Sequence, residues 1–387
     1  MRKIVVSAVT LMSMISTGWT MQNIKLGGLN IDPFVSTEGK YDSNIYLQSN
    51  AKGAWINDSA VGVRFSQKFS NRLKLQAGYQ LDLITYSVSP SNNNAVHHTA
   101  DISGTATVGK DINMKLGEKF LATTDQASSE LTARAKRVEN DVNFLLESPL
   151  KGNYGFRVEV ADAYNKYLAT EYAALDRNQV TVGVAGTYKL MPQTLAVLGY
   201  NFNNVAYKSN TANNSTINKI NGGLEGKIAN KVTGTVSAGA QFRNYKNSLN
   251  TASNNATTFS YGLGLSWQAT ENSTLLLQGI RDNIESTYVN SRYYTSTLTN
   301  LIFNHKIGTK WDVGAAFGYE YVVYPENTPG LNEKRKDGYL RLGVDVGYDI
   351  QPWLKAALAY DYKNRSSNEG QFNYKDHVTG LQIRATF

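Results

Sequence analysis

In the stretch YLRLGVDVGYDI (339–350), Arg341, Asp345 and Asp349 share one parity, and Leu340, Leu342, Val344, Val346 and Tyr348 share the other. The spacing recurs. Lys74 and Asp82 oppose Leu73, Leu75, Tyr79, Leu81 and Leu83, and Glu320 opposes Phe317, Tyr319 and Tyr321. Further on, Lys355, Asp361, Lys363 and Arg384 continue the pattern, and Arg281 and Glu285 share a parity that would let them pair inside the upper wall. Side chains two residues apart on a strand line one face. Rows of charged and hydrogen-bonding groups of both signs can set what a pore admits. The alternative is that they hydrate and brace a wall through cross-strand ion pairs.

Other chemistry finds little support. His97 and His98 are adjacent, so on a strand they point to opposite faces and cannot chelate one metal. His305 and His377 are isolated, and no metal or cofactor is expected. The best hydrolase pair, His98 with Asp101, falls on opposite parities, so the chain is not expected to be an enzyme. The chain has no Cys, which excludes disulfides, thiolate sites and an amino-terminal lipid anchor. No Gly-rich phosphate loop opens a helix, and no nucleic-acid partner is indicated. Arg134, Lys136 and Arg137 form a basic cluster near a loop; they would hold lipopolysaccharide phosphates or an acidic polymer, or stand as a solvated rim. The formal charge of +8 is a modest bias toward anionic partners.

The elements that position these residues are strands. Short turn signals (FSNR at 69, VGKD at 108, SPLKG at 148, LMPQ at 190, IANK at 228, QATEN at 268, KIGTK at 306, IQP at 350) recur about every 40 residues. Each interval holds two alternating stretches around a longer polar loop such as SNTANNST or PENTPGLNEKR. Strands of ten or more residues, strict alternation of short turns with longer loops, and Trp267, Trp311 and Trp353 beside short turns favour a membrane barrel over a soluble sandwich. The three tryptophans would form a periplasmic aromatic belt. The fold expected is all-β: a transmembrane antiparallel up-and-down β-barrel of about 18 strands, 16 being the alternative. It would have short periplasmic turns, longer extracellular loops, none long enough to fold in as a large plug, and no plug domain. Its first strand would lie near 31–43, although Pro33 cannot donate to a ladder.

Residues 1–20 read as a signal peptide: Arg2 and Lys3 precede an apolar run from Ile4 to Ile15, too short to span a bilayer as a helix. Residues 21–387 then form the outer-membrane barrel, exported by the general secretory route. The last eight residues, GLQIRATF, alternate Leu381, Ile383, Ala385 and Phe387 with Gln382, Arg384 and Thr386. This strand must pair with the first, because an open edge in lipid leaves backbone groups unsatisfied.

YDSNIY (41–46), RDNIES (281–286) and YDYKNRSSNEGQFNYKDH (360–377), in this order, resemble the putative beta-barrel porin 2 family of outer-membrane barrels. The resemblance covers most of the mature chain. It implies an integral protein of the Gram-negative outer membrane, set among lipid and lipopolysaccharide. Several such proteins are encoded in exopolysaccharide or capsule clusters, which implies a conduit for polymer export, with periplasmic export proteins and an anionic polysaccharide as partners. It supplies no catalytic residues. The closing aromatic, with Leu381, Ile383 and Phe387, also resembles the signal read by the outer-membrane assembly machinery. The competing reading is a diffusion or sugar-selective porin, which would show a narrow constriction and aromatics along the lumen; in the sequence the aromatics fall mostly on the lipid parity.

Overall fold

The computed structural model describes residues 24–247, 255–287, 291–327 and 333–387. The expected signal peptide lies outside the described residues. The chain builds one antiparallel sheet closed on itself. β1 (Ile24–Leu26) is a short hairpin partner of β2 (Leu29–Asp42). Around the barrel follow β3 (Ala54–Ser70), β4 (Leu73–Tyr86), β5 (Ala95–Val108), β6 (Ile112–Thr123), β7 (Arg137–Glu147), β8 (Tyr154–Tyr167), β9 (Arg177–Met191), β10 (Thr194–Tyr207) and β11 (Ser215–Ala229). The circuit continues through β12 (Val232–Tyr245), β13 (Asn255–Gln268), β14 (Ser273–Glu285), β15 (Tyr293–Ile307), β16 (Trp311–Asn327), β17 (Lys334–Gln351), β18 (Leu354–Ser367) and β19 (Tyr374–Thr386).

β2 to β19 are the 18 strands of the barrel, and β19 closes on β2 from Val378↔Asp42 to Thr386↔Phe34. Pro33 sits at the last rung of that seam, where its missing N–H forgoes a single terminal bond, and its carbonyl accepts from Phe387 N at 2.9 Å.

The parity read in the sequence decides which face is which. Leu73, Leu75, Tyr79 and Leu83 are exposed on the outside, as are Leu342, Val344 and Val346. Leu381, Ile383 and Phe387 are likewise 53%, 43% and 53% exposed, a density of bare apolar side chains that a water-facing surface would not carry. Trp267, Trp311 and Trp353 stand on this face beside the short turns. Among the described residues, buried apolar side chains form no central core. They gather in small clusters at the long-loop ends of the strands: Ile45, Ala54, Ile56 and Ile84; Val205, Tyr207 and Ile217; Tyr294, Val322 and Tyr324.

One seam departs from the rest. The β13–β14 ladder runs only from Gln268↔Thr274 to Tyr261↔Arg281. Beyond it, β13 continues to Asn255 paired with β12, and β14 continues to Glu285 paired with β15.

Candidate functional site

The lumen wall is built from the inward parity of each strand. At its short-turn end Lys74 joins Arg72, Asn113, Lys115 and Glu147 around a recess of about 230 Å³. Lys115 pairs with Glu147 at 2.8 Å, and Glu147 also pairs with Arg157 at 2.9 Å. Arg157 then spans β9 and β10 to make two bonds, 2.6 and 2.7 Å, to Glu225 on β11. Small residues between them leave room: a Cβ on Gly183 would lie 2.3 Å from Asn201 Oδ1.

Across the lumen, Lys355 bonds Asp312 at 2.5 Å and stands 4.0 Å from Asp349. Arg341 pairs with Asp361 at 3.0 Å, and Lys363 with Asp376 at 3.0 Å. Asp345 is half-buried on the same row beside Gly314. Asp82 accepts from Gln80 at 2.6 Å and Glu320 from Ser296 at 2.5 Å. Arg384 and Arg64 both stack on the Phe34 ring, with guanidinium-to-centroid distances of 4.2 and 5.8 Å.

Two expected placements are corrected. Arg281 faces outward: its register neighbours are Tyr261 and Thr297, and it donates to Thr297 Oγ1 at 2.7 Å. Its expected partner Glu285 is buried and bonds Arg243 at 2.5 Å and Tyr207 at 3.1 Å instead. The segment STLLLQGIRDNIE carries leucine or isoleucine on both parities, so alternation alone does not assign its faces. His98 also faces outward, its Nδ1 2.8 Å from the Tyr79 hydroxyl, while Asp101 is on the lumen parity; they form no dyad.

The main feature that length and composition conceal is the third long loop, residues 124–136. Contrary to expectation, it enters the lumen. At its root Thr124 N donates to His97 Nε2 at 3.0 Å, Arg137 donates to the carbonyls of Asp125 and Gln126, and the Arg134 guanidinium lies 4.2 Å over the Tyr86 ring. The supposed basic cluster is thus mostly the loop's own anchor: Arg137 is 2% exposed, and only Lys136 is solvated.

At its tip the Glu130 carboxylate accepts from Ser286 Oγ (2.6 Å), Thr287 N (2.5 Å) and Thr287 Oγ1 (2.8 Å). Ser128 and Ser129 bond Tyr294, and Ser129 also bonds Glu320. β6 and β14 are eight strands apart around an 18-strand circuit, so the loop straps one wall to the wall nearly opposite.

Around this strap the lumen narrows. Arg137, Arg243, Arg292, Arg335, Asp337, Tyr294 and Tyr324 are all at most 2% exposed. Asp337 collects bonds from Arg335 (2.8 Å), Arg365 (2.9 Å) and Tyr339 (3.2 Å), and Arg335 stacks 3.6 Å over the Phe372 ring. The outer half is therefore closely packed, aromatic and hydrogen-bonded, while the short-turn half is a charged vestibule. A sequence signal existed: Arg or Tyr recurs at the outer end of successive inward rows, as at Arg243, Tyr245, Tyr324, Arg335 and Arg365.

Among solved structures, the outer membrane protein OpdK from Pseudomonas aeruginosa is 9% identical, covering 92% of this chain and 99% of its own, with a TM-score of 0.49. OccAB3 from Acinetobacter baumannii is 8% identical, covering 94% and 100%, with a TM-score of 0.48. A bacterial polysaccharide outer membrane secretin is 7% identical, covering 94% and 99%, with a TM-score of 0.39. No curated protein matches the chain. The family model described as putative beta-barrel porin 2 matches residues 20–387. The chain belongs to that family, and it is a porin-like β-barrel channel of the outer membrane.

Proposed function

We propose that this barrel is a selective channel for small polar, oxygen-rich solutes of the saccharide class. The strap of residues 124–136 carries the reading: it crosses the lumen where packed tyrosines and arginines crowd the bore. Aromatic faces and fixed donors suit sugar rings and hydroxyls, and a few convergent polar groups give specificity. The half-buried inward aromatics Tyr86 and Tyr339, backed by the buried Tyr294 and Tyr324, would supply the track that the sequence parity did not suggest.

Export of exopolysaccharide or capsule polymer is the second reading. It is favoured by the loop's attachment at the far wall, where one carboxylate receives three bonds and could release to widen the bore. It draws on the kinship with barrels of polysaccharide clusters.

Swelling of liposomes holding the purified barrel, in mono-, di- and longer saccharides, tests the first reading. Entry falling steeply with chain length is expected; exclusion of all of them would refute it. Loss of surface polymer in a deletion strain, restored by complementation, would establish the second reading instead.

A further inference from the structure

The upper part of the β13–β14 seam is not held by backbone pairing, and its side chains reveal why. Below the break, Leu275, Leu277, Gly279 and Arg281 form the outward row of β14. Asn283 and Glu285 continue that parity. Yet Asn283 donates to Thr258 Oγ1 at 2.8 Å, and Glu285 bonds Arg243, both on the inward parity of their strands. Tyr293, opposite Glu285 on β15, stacks on Tyr245 with centroids 6.4 Å apart. The outer face of the β14–β15 ends thus packs against the inner face of β12–β13. The wall is lapped there, as in a rolled sheet.

The strap accounts for the lap. Seven extended residues, Thr124 to Glu130, reach at most about 25 Å. Glu130 meets Ser286 and Thr287, the residues directly after β14, so the top of β14 is drawn inward to the loop tip. The break lies within the membrane. Tyr261 is six residues above Trp267, or about 15 Å at ordinary strand rise and tilt, against an apolar band about 25 Å tall. Unpaired strand edges at that depth are costly unless something polar serves them. Donors also stand unused in the lap: among the described residues Gln241 Nε2, Ser260 Oγ, Arg243 Nε and Arg292 Nε have no partner, and each of these side chains is at most 3% exposed.

We propose that this lapped seam is a lateral gate, opening the lumen to the outer leaflet for an amphiphile with an anionic, oxygen-rich headgroup, and that the strap controls it. Unused donors match acceptor-rich headgroups, and Arg281 stands on the outer face where the ladder ends. With the strap latched, the axial route is narrow and the backbone ladder is parted, so that only the side-chain lap covers the side route; with it released, β14 returns to β13 and the ladder closes that route.

The chain has no cysteine, so single thiols can be placed cleanly. Thr258→Cys puts one in the lap, and Thr99→Cys puts one at comparable height on the lumen side of β5. Each purified barrel is reconstituted in liposomes containing a maleimide carried on an acyl chain, and a water-soluble maleimide is used in parallel. Heat-modifiable mobility confirms folding. We expect the bilayer-borne reagent, normalised to the soluble one, to label Thr258→Cys at least tenfold faster than Thr99→Cys. Adding Glu130→Ala should cut that advantage several-fold while raising ion conductance. Equal labelling at the two positions overturns the gate; an unchanged ratio in the Glu130→Ala background overturns its control by the strap.

Discussion

Glu118 stands on the outward row of β6 between Leu116 and Phe120, both exposed to the membrane side. Six residues separate it from Ile112 at the short-turn end, which places it about 15 Å into an apolar band of about 25 Å. Val142 on β7 and Asp162 on β8 lie in register with it, so two carboxylates face outward in one neighbourhood. With its amide nitrogen turned toward Glu118, Asn140 donates to the carboxylate at 3.2 Å. One amide bond offsets little of the cost of a carboxylate facing lipid. Glu118→Leu should therefore stabilise the folded barrel in phospholipid vesicles by about 1–2 kcal/mol, less than the penalty for a basic residue at the midplane. The shift in the urea unfolding midpoint measures it. A lower midpoint would mean that the carboxylate has an unseen favourable role on that face.

Among the elements, the strap is the one whose behaviour its sequence did not disclose. Period-2 alternation made the strands legible, because a one-residue slip would turn every lipid-facing side chain inward. That is why the closing strand pairs with β2, and why Lys74 and Arg341 alternate with the exposed Leu73, Leu75 and Leu342. The direction of a loop is set instead by partners far away in sequence, such as Glu130 with Ser286, which no local pattern encodes. The same limit hid the lap at β14, where leucines on both parities left the faces unassigned. Replacing residues 126–134 by a short Gly-Ser linker removes the strap's tip but keeps the Arg137 anchor. Single-channel conductance should rise several-fold, and the saccharide size limit should rise with it. Unchanged conductance would place the constriction in the wall residues Tyr294, Tyr324 and Arg335 alone.

For the molecule as a whole, closure joins residues more than 300 positions apart, from Phe34–Asp42 to Val378–Thr386. Contacts so distant in sequence form only after a large loss of chain entropy, so closing the circuit should come late in assembly. Phe387 sits at this junction. Its N–H bonds the Pro33 carbonyl, and its ring stacks on Trp353 at 6.2 Å and 21°. The ring also faces lipid, which is as apolar as the ring itself, so the native barrel gains little hydrophobic free energy from it. Two roles are therefore separable. If Phe387 chiefly marks the strand for assembly, Phe387→Ala should lower the heat-modifiable fraction in cells several-fold. The same variant refolded in detergent would unfold within about 1 kcal/mol of the parent, since surface changes away from packed sites cost little. If the ring chiefly pins the seam through Trp353, both readouts should fall together, and Trp353→Ala should reproduce the loss. The first outcome is expected, because the ladder of backbone bonds, not one exposed ring, holds β19 to β2.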